Sequence, residues 1–327
     1  MYITQTFNVL HDWWRYLLGV IIVFIAWQLI GMIPLFIAIG VKVMGTGEIP
    51  TDIPQMATLL GNNLFLFLML LSFAVGLIGL LVTTKLLHKQ SFTHLTTARK
   101  KIDWKRFWFV FLLWGIVSTG FVLIDCFLFT PEDYLLNFKL QPFLILCAIA
   151  ILLVPLQTSF EEYLFRGYLM QGLGVILKNK WVPLIITSLG FGLLHIANPE
   201  VEKLGYVIMV YYIGTGLFLG IMTLMDEGLE LALGFHAANN LFTALLVTAD
   251  WTAFQTDSIL KDMSDPEKMG VVEIFVPVFV IFPILLFILS KKYNWSNWKD
   301  KLLGAVVEPP KENYKIIEDI GNNDSQL

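Results

Sequence analysis

Hydrophobic residues along this chain come in long, unbroken runs. Apolar runs of about 17 to 25 residues are long enough to cross roughly 30 Å of hydrocarbon as helices. Eight spans are expected on that basis: Tyr16 to Val41, Leu64 to Thr84, Phe107 to Phe129, Pro142 onward through the Glu161 region, Trp181 to Ala197, Gly205 to Met225, Leu231 to Ala249 and Ile274 to Ser290. The first run is 26 residues long and lacks a small-residue cleavage site, so it reads as a span and not as a cleavable signal. Tryptophans such as Trp13, Trp104, Trp181 and Trp295 cluster near the expected helix ends. An amphipathic ring prefers that interfacial depth. The expected fold is all-α, a polytopic transmembrane bundle. It divides into a three-span N-terminal region (1–141), a four-span core (142–249), a loop with an eighth span (250–290) and a polar tail (291–327).

Composition agrees with a membrane class: 57% of the 327 residues are hydrophobic and only 15% charged. A net charge of -4 argues against a nucleic-acid partner. Cys126 and Cys147 both fall in apolar stretches and read as small core residues. The distribution of positive charge gives an orientation. Sixteen Lys and Arg, including seven between Lys85 and Arg106, fall on one set of loops and ends, against five on the other. The positive-inside rule then places both termini in the cytoplasm.

Six ionisable residues lie well inside the expected spans: Asp125, Glu161, Glu162, Arg166, His195 and His236. A charge near the bilayer centre costs about 2.5 to 3.5 kcal/mol on insertion scales, so each requires a partner or a use. Glu162 and Arg166 are four apart with the acid first, the spacing of an ion pair on one helical face. Glu161 is rotated by about 100° from Glu162 and is left to face elsewhere. The basic turn at Lys178 and Lys180 lies about 17 residues from both Glu161 and His195. An antiparallel hairpin would bring that carboxylate and imidazole to one depth, where together they could hold and deprotonate a water. His236 and Asn240 are again four apart, and their N–H groups could converge on an oxyanion. The bland alternatives are a structural salt bridge and polar glue between helices.

Glu-Glu-x-x-x-Arg, Phe-x-x-x-His and His-x-x-x-Asn on successive spans resemble the CPBP family, which comprises CAAX prenyl endopeptidases and bacteriocin-processing enzymes, also called Abi proteins. The resemblance covers about a third of the chain, between Pro142 and Ala249. It implies an intramembrane endopeptidase with Glu161 as the base that activates water and His195 as its partner. Glu162 and Arg166 would support them, with His236 and Asn240 as oxyanion donors. A peptide or membrane-protein substrate and a lipid bilayer are the implied partners, and a bacterial inner membrane the implied location. No cofactor is favoured, because the Glu162–Arg166 cation disfavours a second positive charge nearby. Zinc on Glu161, His195 and His236 is the variant reading. A non-catalytic immunity-type protein or a transporter is the reading of a different class. One geometrical demand follows. The hairpin tip lies about 25 Å from Glu161, whereas His236 is close to the loop around Asp226, so the hairpin is expected to project beyond the bilayer.

Overall fold

The computed structural model describes residues 1–266 and 270–310. Six of the apolar runs form helices long enough to span a membrane: α1 (Trp13–Thr46), α2 (Asn62–Leu87), α3 (Trp104–Phe129), α4 (Leu140–Leu177), α6 (Tyr206–Asp226) and α8 (Val271–Lys292). Two shorter helices complete the bundle, α5 (Trp181–Leu193) and α7 (Glu230–Leu246). The eight expected runs are all helical, but two are shorter than their apolar stretch. α5 stops at Leu193, short of Ala197, so His195 lies in the turn that follows. α7 stops at Leu246 and gives way to extended chain.

How the helices divide between lipid and core follows from their burial. Only 22%, 17% and 17% of the most apolar windows of α1, α3 and α8 are buried, against 50% for α2, so the first three form the rim. Leu17, Phe24, Ile116, Phe127, Phe279 and Phe287 are among their large exposed side chains, at home in hydrocarbon. α4 packs between α2 and α7, α7 against α3, and α6 against α5. Two glycines set the closest approaches. A Cβ at Gly234 would stand 2.4 Å from the Phe107 carbonyl oxygen of α3, and one at Gly216 would stand 2.8 Å from that of Ser188 on α5. Small residues at such crossings let membrane helices pack backbone to backbone.

The loops gather into two ends. At the basic end, the N-terminal 3-10 turn Ile3–Asn8 and the short helix Phe92–Thr96 form a collar around the second half of α4. Tyr2 OH donates to Leu95 O at 2.6 Å, His88 Nε2 meets Tyr168 OH at 2.8 Å, and Thr96 Oγ1 meets Tyr163 OH at 2.9 Å. The Ala98 N–H donates to Glu227 O, and the Lys180 N–H to Gly304 O. Lys180, Tyr2 and Glu227 border one crevice, so the tip of the α4–α5 hairpin is level with the turn after α6. At the opposite end, β1 (Tyr134–Leu136), β2 (Val247–Thr248) and β3 (Leu260–Asp262) form a small sheet in the order β1-β3-β2. β3 runs antiparallel to β1 and parallel to β2. The expected loop at 250–290 therefore carries a strand, a minor departure from an all-α bundle. After Lys291 the chain forms the short helix Trp298–Leu303, and 311–327 of the expected tail lie outside the described residues.

Candidate active site

The catalytic candidates come from α4, the turn after α5, and α7. At Tyr163–Leu169, immediately beyond the paired glutamates, α4 winds as a π-helix. Such wider turns occur often where a helix must aim side chains for function. Glu162 and Arg166 meet as their spacing demanded, with Nη1 donating to Oε1 at 3.1 Å and both side chains fully buried. Arg166 Nη2 donates to the Gly216 carbonyl at 3.1 Å, and its guanidinium lies 4.3 Å over the Phe191 ring. Glu162 Oε1 receives a second contact from His236 Nδ1 at 2.8 Å. An ionised carboxylate only accepts, so Nδ1 carries the proton.

The other imidazole nitrogen, His236 Nε2, stands 3.5 Å from Glu161 Oε2. His236 is thus held between the two adjacent acids, one on each ring nitrogen. Glu161 Oε1 accepts from Gln157 Nε2 at 2.7 Å, while its Oε2 is buried and accepts no hydrogen bond. Asn240 does not turn its N–H toward His236. Its Nδ2 donates to Gln157 Oε1 at 3.1 Å, and its Oδ1 accepts from Asn239 Nδ2 at 3.2 Å. Trp114 Nε1 on α3 donates to Asn239 Oδ1 at 3.1 Å. A relay of amides therefore runs from α3 through α7 to α4 and ends on Glu161. Linked hydrogen bonds of this kind in a low dielectric rigidify the group at their end.

His195 Nδ1 contacts the Phe191 carbonyl at 2.8 Å, which as an N–H donor leaves Nε2 with its lone pair. Its ring stacks on Tyr212, with centroids 4.4 Å apart and planes 20° apart. No hydrogen bond or ion pair joins His195 to Glu161; both line one cavity of about 270 Å³ together with His236, Asn240, Glu200 and Trp27. A larger cavity of about 1050 Å³ adjoins it at the sheet end and shares Ile53 and Asn198 with it. Among the described residues, no three His, Cys, Asp or Glu side chains are placed to hold a metal ion.

The sixth intramembrane ionisable group, Asp125, stands apart, accepting from Tyr134 OH at 2.7 Å and Thr130 Oγ1 at 3.3 Å. Gln157, Asn239 and Glu200 were missed by reading ionisable groups within spans alone. Gln157 is four residues before Glu161 on the same face, a signal that intramembrane amides would have supplied. Trp27, Met69 and Phe73 show that α1 and α2 wall the cavity, although no motif falls on them.

A membrane bundle with a cavity lined by Glu161, His195 and His236 has the residue types that hydrolase sites use. Residues 140–242 match the family described as type II CAAX prenyl endopeptidase Rce1-like. The chain is 31% identical over 236 residues to the uncharacterized protein YyaK of Bacillus subtilis (strain 168), covering 72% of this chain and 78% of that protein. The chain belongs to this Rce1-like family of CAAX-protease-like membrane endopeptidases. No solved structure matches it.

Proposed function

We propose that the protein hydrolyses a peptide bond within the 270 Å³ cavity, with Glu161 as the base that activates water. The observation that carries this reading is Glu161 itself: Oε1 is fixed by Gln157, and Oε2 is buried beside the cavity with no hydrogen bond, 3.5 Å from His236 Nε2. A buried acceptor left unsatisfied costs about 1 to 3 kcal/mol, and a bound water would relieve that cost. Water placed between Glu161 Oε2 and the lone pair of His195 attacks the carbonyl carbon and passes a proton to Glu161. The carbonyl oxygen becomes an oxyanion, for which His236 Nε2, when protonated, is the donor. The C–N bond then breaks, Glu161 returns the proton to the leaving amine, and a new carboxyl end and a new amino end depart.

Glu162 and Arg166 hold His236 in place by fixing its Nδ1 proton. Asn240 acts at one remove, through Gln157, by aiming the Glu161 carboxylate. In the membrane, both termini and the collar face the cytoplasm, in accord with the sixteen basic residues assigned to that side. Labelling of a cysteine placed at Lys100 from outside intact cells would overturn that orientation. The chemistry is tested with full-length protein in lipid nanodiscs. Cleavage should persist after exhaustive chelation and fall by about 10²- to 10⁴-fold in Glu161→Gln with no loss of folded protein. Activity abolished by chelator and restored by zinc would replace this mechanism with a metal-dependent one.

A further inference from the structure

Glu200 is a carboxylate in the catalytic cavity that the water-activating step does not use. It lies on the short helix Pro199–Leu204, beyond the turn that carries His195. Oε1 accepts from the Ala253 N–H at 2.9 Å, which ties this helix to the loop before β3 and fixes the direction of the carboxylate. Oε2 is buried and has no partner. Burial raises the Glu200 pKa from its ordinary value, partly offset by the Ala253 hydrogen bond. Such a group gains most from a ligand that supplies a positive charge or a strong donor.

The surroundings choose between those two. Among the described residues, the cavity is lined by two carboxylates, Glu161 and Glu200, and by no Lys or Arg. The adjoining outer cavity carries Asp52, Glu202 and Asp250, the last paired with Lys261 at 2.7 Å, with Lys203 as its lining base. Among the described residues, Lys203 in the outer cavity is the one Lys or Arg side chain lining this path, and none lies in the inner cavity with Glu200. Tyr211, Tyr212 and Phe254 add ring faces to the same cavity, and ring faces attract cations.

We propose that Glu200 is a specificity-determining residue whose free oxygen pairs with a Lys or Arg side chain of the peptide substrate, so that the preferred substrates carry a basic residue near the bond to be cut. This rests on the peptidase reading above. An acidic side chain or a C-terminal carboxylate at the same place would face Glu200 and Glu161 without compensation, and like-charge juxtaposition is strongly unfavourable.

The test uses full-length protein in nanodiscs and a set of fluorescent apolar peptides, identical except for one Lys, Gln or Glu moved stepwise along the sequence. Both the dissociation constant and the cleavage rate are measured. At one position Lys should bind at least about tenfold more tightly than Gln, and Glu more weakly than Gln. Glu200→Gln, which keeps the acceptor for Ala253, should erase the preference for Lys. Equal affinities at every position, or a preference for Lys that survives Glu200→Gln, would overturn the proposal. The wild-type preference is itself a test that no folding defect in a variant can obscure. Selective binding without cleavage would leave the subsite standing and remove the peptidase reading, whereas cleavage without selectivity would do the reverse.

Discussion

The basic end of the molecule and the cavity at its centre both bury charge, and they treat it in opposite ways. At the basic end, Asp226 is met by Arg99 at 2.8 Å, Arg106 at 2.5 Å and Trp295 Nε1 at 3.1 Å. Glu230 is met by Arg99 and by the Asp103 N–H, each at 3.2 Å. Each of these acids has both carboxylate oxygens paired. In and beside the cavity, Glu161 Oε2, Glu162 Oε2, Arg166 Nε, Glu200 Oε2 and Trp27 Nε1 are buried without a hydrogen bond, and only the first has a nearby ion-pair contact, His236 Nε2 at 3.5 Å. Native structures leave few such atoms, and each one calls for an explanation. The difference separates charges that hold the fold from charges kept available for a reactant.

Substitutions that remove one partner from each kind of site sharpen this contrast. The largest effect on stability is expected at Glu162→Gln, which strands the fully buried Arg166 guanidinium. Breaking one side of a buried pair costs on the order of 3 to 5 kcal/mol, so the detergent-solubilised protein should melt early as well as lose activity. Glu162→Gln combined with Arg166→Gln should recover part of that stability, because no lone charge remains. A double variant no more stable than the single one would show that the pair is not the source of the loss. Asn240→Ala comes next and acts on activity alone. Freed from Asn240, Gln157 no longer fixes Glu161, and a loss of up to about a hundredfold in cleavage is expected for a misplaced catalytic group. Restoration of activity in Asn240→Gln would support the positioning role, while an unchanged rate in Asn240→Ala would remove it. The smallest effect belongs to the basic end. Asp226→Asn should cost about 1 to 3 kcal/mol of stability and leave the rate per folded molecule close to wild type. Lost catalysis in a fully folded Asp226→Asn protein would break the division between the two regions.

Much of this was legible along the chain. The eight apolar runs specified eight helices, and the four-residue spacing specified the Glu162–Arg166 pair before any contact was seen. The place of His195 was not legible in this way. Pro199 keeps Asn198 out of a helix, in agreement with a span ending at Ala197, but the helix stops earlier, at Leu193, and His195 falls in the turn that follows. Helical spacing could not reveal that Asn240 turns to Gln157 and not to the side of His236. Which way an amide turns depends on donors and acceptors supplied by other helices, here Trp114 on α3 and Gln157 on α4. The collar at Ile3–Asn8 was equally hidden, because its buried Ile3, Thr6 and Phe7 form no apolar run. Glu200 lay in a loop between spans, where a carboxylate raises no question until the opposing loop is seen to cover it.

The central claim is that Glu161 cuts peptide bonds in this membrane site, and the most direct measurement is a comparison of peptide ends in the membrane proteome. Cells producing the wild-type chain and cells producing Glu161→Gln at the same level are compared by labelling all new amino ends. The account predicts a set of ends within or beside membrane segments, enriched in Lys or Arg close to the cut, that is present with the wild type and absent with Glu161→Gln. Identical sets of ends in the two cell lines would contradict it.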